Sequence, residues 1–358
     1  MNSRVLIMAG GTGGHVFPAL AVADELRSQN SDVFWMGTAN GIEAKLVPAA
    51  GYPLKLINVK GLRGNGLKGW LFSPFKLLKA VLEAIKVIKE IKPDVVLGLG
   101  GFASGPGGFA AWLLRKPVVI HEQNAIPGLT NRLLSRFAKQ VLEGFPQSFT
   151  TTENARWVGN PVRVSIEAID SPQNRFTNRT GPIRILVLGG SLGAKALNTL
   201  VPAALATNDT LFEIKHQSGE RNLTECLQSY QEANVTAEVT AFIEDMTSVY
   251  EWADLVICRA GALTIAELAA AGVGALLIPY PYAVDDHQTH NAMALVSAGA
   301  AKLIQESTLT AELLNEQLNV LTNSRENLLT MANSARSQAK LGTAKLVAAI
   351  CLKEIRHE

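Results

Sequence analysis

Two glycine-rich turns, about half a chain apart, each join a strand-like run to a helix-like run. Residues 5–8 lead into GGTGGH at 10–15, and residues 185–188 lead into GGSLGA at 189–194. Short runs of leucine and β-branched residues are typical of buried parallel strands. A helix that starts after such a turn offers free N–H groups to a phosphate. The pattern predicts an α/β chain with two Rossmann-like domains facing each other across a cleft.

The bulk properties of the chain fit this prediction. Its 358 residues are comfortable for two domains, and 47% hydrophobic with 18% charged residues indicates globular units with sizeable cores. The net charge of +2 gives no reason to expect nucleic acid as a partner. Three scattered cysteines, Cys226, Cys258 and Cys351, predict neither a disulfide framework nor a zinc site. The sequence shows no signal-peptide pattern and no apolar run of about 18 residues, the length that would span a membrane.

Strand-like and helix-like runs alternate along both halves. Strand candidates lie at 33–36, 95–97 and 118–120, and again at 212–215, 239–242, 255–257 and 275–278. Such alternation predicts parallel sheets with helices on both faces. An irregular polar stretch at 160–182 places the domain boundary, so we expect domains over 1–161 and 162–338. The tail, 339–358, predicts a helix with no following strand, and the first domain is one candidate surface for it.

Residues 55–92 contain nine Lys or Arg and only two Glu. Within this segment an apolar set recurs at helical spacing, Phe75, Leu78, Leu82, Ile85 and Ile88, and lysines occupy another face. The tripeptide WLF at 70–72 precedes it. Two interpretations stay open: a basic amphipathic helix for an anionic membrane surface, or an ordinary surface helix whose stripe packs on the core.

The first turn is neither a P-loop nor a good dinucleotide fingerprint. No Gly-Lys-Ser/Thr follows it, Val16 stands where a third glycine belongs, and Thr38 stands where an acidic residue would hold an NAD ribose. His15 ends the turn, just before a helix predicted to begin at Pro18. An imidazole at a helix N-terminus tends to stay neutral, so His15 is a candidate general base. The alternative is a histidine that caps the helix or bonds a neighbouring carbonyl.

Further polar segments follow other predicted strands. Residues 100–108 form a third glycine-rich turn, and HEQN follows at 121–124, so both are expected near the first turn. His121 and Glu122 could equally be a satisfied polar pair, and Asn124 a turn residue. In the second half, N–H groups at 262–264 could meet a diphosphate, and Glu267 could accept hydrogen bonds from ribose hydroxyls. A glutamate stabilised by the helix dipole is the simpler alternative.

Residues 285–291 read DDHQTHN and open another helix. Two histidines at i and i+3 can share a helix face, but no third ligand follows in a familiar metal-binding pattern. Recognition of a sugar by Gln288 and Asn291 is the more natural interpretation. We therefore predict no metal site.

Taken together, these motifs resemble the MurG family, the peripheral membrane N-acetylglucosaminyltransferases of bacterial peptidoglycan synthesis. The matching segments, in order, are GGTGGH at 10–15, GGFASGP at 100–106, HEQN at 121–124 with PGLTN at 127–131, GNPVR at 159–163, GGS at 189–191, RAGALT at 259–264 with Glu267, and 286–291. They span nearly the whole chain.

The resemblance implies a two-domain GT-B glycosyltransferase that needs no cofactor. It would move GlcNAc from UDP-GlcNAc, with inversion, to the 4-hydroxyl of MurNAc in undecaprenyl-diphospho-MurNAc-pentapeptide (lipid I), making lipid II. The first domain would face the acceptor and the membrane, and the second would bind UDP-GlcNAc. Implied partners are the two substrates, an anionic membrane surface and other cell-wall synthesis proteins. The implied location is the cytoplasmic face of the bacterial inner membrane.

Carried over residue by residue, the resemblance makes His15 the catalytic base. The implied UDP-GlcNAc contacts are Thr12, Gly13, Gly14, Asn124, Arg163, Ser191, Ile243, Ala262, Leu263, Thr264, Ile265, Ala266, Glu267 and Gln288. Asn291 is a candidate for the donor sugar, and Ser104, Gly105, His121 and Glu122 are candidates for the acceptor.

The chain departs from the family at three positions. Leu192 and His287 stand where the family often has glutamine, and Phe102 stands where tyrosine is common. Two rival functions are also consistent with the sequence. A UDP-GlcNAc 2-epimerase would share the fold but needs no membrane surface, and a non-catalytic nucleotide-binding scaffold would need no base.

Overall fold

The computed structural model describes residues 2–59, 73–150, 154–190 and 193–355. The chain divides into two compact units, Met1–Arg163 with Gly342–Glu358 (unit 1) and Val164–Leu341 (unit 2). The tripeptide at 70–72, Ser191 and Leu192 lie outside the described residues. No helix in the described part of the chain is both long enough and apolar enough to cross a membrane.

The strands, in chain order, are β1 (Arg4–Met8), β2 (Asp32–Gly37), β3 (Leu54–Leu56), β4 (Val95–Gly98), β5 (Val118–Glu122), β6 (Gln140–Glu143), β7 (Ala155–Trp157), β8 (Ile183–Leu188), β9 (Phe212–Gln217), β10 (Glu238–Thr240), β11 (Leu255–Cys258), β12 (Gly274–Leu277) and β13 (Ala301–Leu303). Each strand segment predicted from the sequence contains or overlaps one of these. Strand β6 and the short edge strands β3, β7 and β13 were not predicted, because their apolar patterns are too short.

The α-helices are α1 (Gly13–Ser28), α2 (Glu43–Ala49), α3 (Ser73–Ile91), α4 (Ser104–Leu113), α5 (Leu129–Leu134), α6 (Val164–Glu167), α7 (Pro172–Phe176), α8 (Lys195–Leu205), α9 (Leu223–Glu232), α10 (Met246–Trp252), α11 (Ala262–Ala271), α12 (His287–Val296), α13 (Ala311–Leu321), α14 (Arg325–Ser337) and α15 (Thr343–Lys353). Short 3₁₀ turns occupy Glu220–Asn222, Val284–Asp286 and Glu306–Thr308.

Each unit is built on one parallel sheet. The described strands of unit 1 are ordered β3-β2-β1-β4-β5-β6-β7, and those of unit 2 are ordered β10-β9-β8-β11-β12-β13. In both sheets the strand order reverses beside the first strand, between β1 and β4 and between β8 and β11. Ligands of doubly wound sheets bind outside the carboxyl ends of the strands at this point. The predicted α/β class with two parallel-sheet domains is confirmed.

Strand β1 shows why the sheet of unit 1 is buried on both faces. Val5, Leu6, Ile7 and Met8 are all fully buried, and successive side chains point to opposite faces. The set with Val5 and Ile7 packs with α1 and α15, and the set with Leu6 and Met8 packs with α3 and α4. Unit 2 has its own core around β8, α8, α13 and α14.

Helix α1 begins earlier than predicted. The sequence placed its first residue at Pro18, because proline favours the first position of a helix. The helix instead begins at Gly13, since Thr12 is extended and serves as the N-cap residue. Pro18 therefore lies inside α1, and His15 lies in the first helical turn.

Helix α3 does not bury its whole predicted apolar stripe. Ile88 is buried, but Phe75, Leu78 and Leu82 are 72%, 57% and 57% exposed. The buried face is offset, because it is formed by Ala80, Val81, Ala84, Val87, Ile88 and Ile91. The interpretation that the stripe simply faces the core therefore holds only for the carboxyl-terminal half of the helix.

Candidate active site in two units

The loops after β1 and β4 pack directly on each other in unit 1. A Cβ atom on Gly101 would overlap the Gly10 carbonyl oxygen, and one on Gly100 would lie 2.8 Å from the His15 ring. The hydroxyl of Ser104 donates to the carbonyl of Met8 at 2.8 Å. The expectation that the third glycine-rich turn lies near the first is confirmed.

Glu43 holds the first turn in place and was not anticipated from the sequence. Its fully buried carboxylate accepts a hydrogen bond from Gly11 N at 2.8 Å and from the backbone N and hydroxyl of Thr38 at 2.9 and 2.7 Å. Three donors compensate the cost of burying a carboxylate. The related feature in the sequence is the glycine at position 41, because a Cβ atom at Gly41 would overlap the Glu43 carboxylate.

A chain of hydrogen bonds runs from His15 into the interior of unit 1. Nδ1 of His15 lies 2.8 Å from Oε1 of Gln123, and Nε2 of Gln123 lies 3.1 Å from Nδ1 of His121. Nε2 of His121 in turn lies 2.8 Å from the carbonyl oxygen of Gly159. His121 is fully buried, and this burial lowers its pKa from 6.5 to about 4, so its ring is neutral at pH 7.

Glu122 organises the loop that follows β5. One carboxylate oxygen accepts from the backbone N and side-chain Nδ2 of Asn124 at 3.0 and 3.1 Å. The other accepts from Gly128 N at 3.1 Å and from Nδ2 of Asn131 at 2.8 Å. Glu122 therefore fixes the position of Asn124 from beneath the loop.

The predicted acceptor residues differ in exposure. Ser104, His121 and Glu122 are buried, and Gly105 is partly exposed. Their hydrogen bonds go to the surrounding loops, so any effect of the buried three on an acceptor would be transmitted through those loops. Their role in acceptor binding stays a prediction.

The N-terminus of α1 carries the other predicted residues of unit 1. Thr12 and Gly14 are exposed, and Gly13 and His15 are half-buried. The guanidinium of Arg163 lies 5.7 Å from the ring centroid of Phe17 in the next turn of α1. The structure thus brings Arg163 to the same helix end as His15.

In unit 2, Gln217 links the second glycine-rich turn to the loop after β10. Its Nε2 donates to the carbonyl of Gly190 at 3.1 Å, and its Oε1 accepts from Ile243 N at 2.9 Å. Ile243 is thereby held beside the turn that leads to Ser191. Gln217 was not singled out from the sequence, because a glutamine at a strand end has no motif of its own.

Helix α11 begins where the sequence predicted a diphosphate contact. Gly261 is its N-cap residue, so the N–H groups of Ala262, Leu263 and Thr264 start the helix. Ile265 and Ala266 complete this stretch. Glu267 follows, is 6% exposed and accepts a hydrogen bond from the Tyr250 hydroxyl at 3.1 Å.

Gln288 and Asn291 tie α12 to the loop after β11. Oε1 of Gln288 accepts from Ala260 N at 3.2 Å and from Tyr280 N at 2.9 Å. Nδ2 of Asn291 donates to the Ala260 carbonyl at 3.3 Å. The described residues contain no group of three or more His, Cys, Asp and Glu placed to hold a metal ion.

Known proteins resemble this chain over nearly its full length. Residues 5–143 match the glycosyltransferase family 28 N-terminal domain, and residues 184–347 match the family 28 C-terminal domain. The UDP-N-acetylglucosamine--N-acetylmuramyl-(pentapeptide) pyrophosphoryl-undecaprenol N-acetylglucosamine transferase of Aeromonas hydrophila is 52% identical over 98% of this chain and 97% of its own. The crystal structure of Acinetobacter baumannii MurG is 44% identical, covers 98% of this chain and 99% of its own, and superimposes with a TM-score of 0.85. The chain belongs to the MurG family.

Membership of the MurG family makes the chain a GT-B glycosyltransferase. A UDP-GlcNAc 2-epimerase from Neisseria meningitidis also superimposes, with a TM-score of 0.68, but at 15% identity this likeness shows the fold alone. The family segments of this chain that carry polar side chains lie after the carboxyl ends of β1, β4, β5 and β7 in unit 1 and of β8, β11 and β12 in unit 2. The epimerase alternative is not favoured.

Proposed function

We propose that the chain transfers GlcNAc from UDP-GlcNAc to the 4-hydroxyl of MurNAc in lipid I, with inversion, and so forms lipid II for peptidoglycan synthesis. The observation that carries the proposal is the 52% identity over nearly the full chain to a relative named for this transfer. The geometry of each unit supports it, because each one presents predicted site residues at the carboxyl edge of its sheet.

The donor contacts in unit 2 follow from helix α11. Its free N–H groups at Ala262–Thr264 face the charge that develops on the departing diphosphate. Glu267, held by Tyr250, accepts hydrogen bonds from ribose hydroxyls. Gln288 and Asn291 support the donor sugar, and Ser191 and Ile243 contribute further contacts. The family's contacts at Thr12, Gly13, Gly14, Asn124 and Arg163 remain predictions for unit 1.

His15 acts as the general base in this proposal. It takes the proton of the 4-hydroxyl while the oxygen attacks the anomeric carbon and the bond to the diphosphate breaks. Replacing His15 by Ala is expected to lower turnover by about a hundredfold or more and to leave UDP-GlcNAc binding intact. Turnover assays and calorimetry on the same preparation measure the two quantities; unchanged turnover would remove His15 as the base.

Helix α3 supports attachment to an anionic membrane. Exposed Phe75, Leu78 and Leu82 alternate with the exposed lysines Lys76, Lys79 and Lys86. Helix α3 packs on α4, whose Trp112 is 43% exposed and lies 4.8 Å from the ring of Phe137. Exposed apolar side chains interspersed with lysines suit a surface of anionic lipids. We place this surface at the cytoplasmic face of the bacterial inner membrane, where other cell-wall synthesis proteins are further proposed partners.

The first test is transfer of labelled GlcNAc to a short-chain lipid I analogue, with and without EDTA. Metal-independent product is the expected result, because fixed N–H donors stabilise the leaving group in this account. Loss of product with EDTA would redirect attention to residues 285–290 as a metal site. Binding of UDP-GlcNAc without product in either condition would instead support the epimerase or a binding scaffold.

A further inference from the structure

The hydrogen-bond chain that ends at His15 begins at a group that can only accept. The carbonyl oxygen of Gly159 has no proton to give, so Nε2 of His121, 2.8 Å away, must carry the proton. His121 is neutral, as its burial and lowered pKa show. A neutral ring protonated on Nε2 has an unprotonated Nδ1, which is an acceptor.

The side chain of Gln123 is oriented by two such acceptors. One end of its amide lies 3.1 Å from Nδ1 of His121 and 3.2 Å from the backbone carbonyl of the same residue. Only the NH₂ group can satisfy both, so the amide oxygen must point the other way. That oxygen lies 2.8 Å from Nδ1 of His15. Gln123 is 1% exposed, so water has little access to compete for these groups.

The orientation of the Gln123 amide in turn decides which ring nitrogen of His15 is protonated. An amide oxygen can only accept, so Nδ1 of His15 must donate, and in the neutral ring, the form that can act as a base, Nδ1 carries the single proton. Its lone pair is therefore on Nε2, and no hydrogen bond of Nε2 is found with the residues that the structure describes. The more common tautomer of a free imidazole has the proton on Nε2, which would leave no lone pair there.

We infer that Gln123 and His121 are positioning residues that hold His15 in its Nδ1–H tautomer and so make Nε2 the nitrogen that takes the acceptor's proton. The inference rests on the proposed role of His15. In the transfer step the hydroxyl proton moves to Nε2, the hydroxyl oxygen bonds to the anomeric carbon, and the electron pair of the broken bond leaves with UDP. The resulting imidazolium keeps Nδ1–H on the amide oxygen of Gln123.

The neutral amide of Gln123 acts on His15 differently from a carboxylate at the same position. It orients the ring and stabilises the imidazolium by one hydrogen bond, but it accepts no proton itself. His121 consequently fixes the direction of the amide and takes no part in proton transfer. The Gly159 carbonyl thus orients His121, His121 orients the amide of Gln123, and Gln123 orients the ring of His15.

The tautomer can be measured directly on the full chain labelled with ¹⁵N-histidine. Long-range ¹H–¹⁵N correlation spectra at neutral pH distinguish the protonated from the unprotonated ring nitrogen, and a His15→Gln variant assigns the His15 signals. We expect a protonated Nδ1 on His15. His216 in unit 2 is an internal contrast: Asn198 donates to the Ser218 carbonyl, so its oxygen faces Nε2 of His216 at 3.0 Å and requires the Nε2–H tautomer. A protonated Nε2 on His15 in the unmodified chain would overturn the inference without any variant.

Two substitutions of Gln123 test its part. Gln123→Leu keeps the bulk but removes the acceptor, so His15 should shift toward the Nε2–H tautomer and kcat should fall at least about tenfold. KM for UDP-GlcNAc should stay within about twofold, and the His216 signals should not move. Gln123→Glu keeps an oxygen acceptor, so His15 should stay in the Nδ1–H form, and Nδ1 of His121, which loses its NH₂ donor, should become protonated. Thermal melts confirm that each variant is folded; a folded Gln123→Leu chain with unchanged tautomer and kcat would contradict the inference.

The spectra test the tautomer of His15 and the assay tests the proposed transfer, so the two proposals can fail independently. If His15 is Nδ1–H and depends on Gln123 but no lipid II forms, the tautomer lock stands and the proposed transfer fails. If lipid II forms while His15 is Nε2–H, the transfer stands and the lock fails.

Discussion

At the scale of single residues, buried polar side chains hold the functional loops. Glu43 and Gln217 each join backbone groups from two different loops, and Glu122 joins two backbone groups within the loop after β5. The hydrogen bonds to the Glu43 and Glu122 carboxylates are charge-assisted and stronger than the neutral ones of Gln217, and burial protects all three sets from water. The loops are thus rigid supports for His15, Asn124 and Ile243.

The role of Glu267 can be tested by binding alone. Glu267→Ala should raise the Kd for UDP-GlcNAc about tenfold or more, because a carboxylate that accepts from ribose hydroxyls contributes on the order of 1.5–3 kcal/mol per bond. Titration calorimetry measures the change. The exposed neighbour Glu251, replaced by Ala in a matched control, should leave the Kd unchanged. An unaltered Kd for Glu267→Ala would refute the ribose contact.

His216 makes the stability of unit 2 sensitive to acid. Burial lowers its pKa from 6.5 to about 3. Above pH 6.5 the ring is neutral in both states, but below it the unfolded chain binds a proton that the folded chain excludes. As the pH falls below 6.5, His216 therefore lowers the free energy of unfolding by about 1.4 kcal/mol per pH unit.

His216→Gln should remove this contribution, because glutamine does not titrate. Between pH 6.5 and 4.5 the unmodified chain should lose on the order of 2–3 kcal/mol more stability than the variant. Urea unfolding of both chains at the two pH values measures the difference. Equal losses would show that His216 becomes protonated in the folded state.

At the scale of elements, α3 combines two surfaces in one helix. Its carboxyl-terminal half buries Val87, Ile88 and Ile91 against the sheet, and its amino-terminal half exposes Phe75 and Leu78. A helix of this kind is anchored at one end and free to contact another surface at the other. Its lysines add attraction to anionic lipids.

The membrane role of α3 predicts a specific loss. The double change Leu78→Glu with Leu82→Glu should reduce flotation with anionic vesicles at least about tenfold, since it removes apolar burial and adds repulsion. Leu211→Glu is the matched control, because Leu211 is 77% exposed in unit 2. Vesicles of zwitterionic lipid provide the second comparison. Equal flotation of the double variant and the control would exclude this surface.

At the scale of the whole molecule, the end of the chain completes the unit in which the chain begins. Helix α15 packs on α1, and Val347, Ala348 and Cys351 are buried in that core. The Thr343 hydroxyl donates to the Val158 carbonyl at 2.9 Å. Helix α15 is therefore part of the core of unit 1, although residues 164–341 of unit 2 separate it in the sequence from the rest of that unit.

A charge in this packing should unfold unit 1 selectively. Val347→Asp buries an unpaired carboxylate and should cost about 3 kcal/mol or more, and Lys345→Asp changes an exposed position and should cost little. Hydrogen exchange followed by mass spectrometry reports each unit separately. Peptides from 2–163 should lose protection in Val347→Asp, with peptides from 164–341 unchanged. Equal protection of both units in the two variants would contradict this assignment of α15.

The fold class and most strands could be predicted because they depend on local patterns. Buried parallel strands read as short apolar runs, and glycine turns at their ends mark where helices begin. The carboxyl ends of neighbouring strands meet at one edge, so the region of the site followed as well. The prediction that α1 begins at Pro18 is wrong. The helix begins at Gly13, because the extended Thr12 already serves as its N-cap residue.

The sequence by itself determined the two parallel-sheet units, the glycine turns and the family, since these depend on composition and order along the chain. Only the tertiary structure decided which polar side chains meet. Gln123 comes within 2.8 Å of His15 although 108 positions separate them, and Glu43 reaches the turn at Gly11. The tertiary structure also decided that the amino-terminal half of α3 leaves Phe75 and Leu78 exposed. Such contacts depend on how strands and helices pack in three dimensions, and no local pattern encodes that packing.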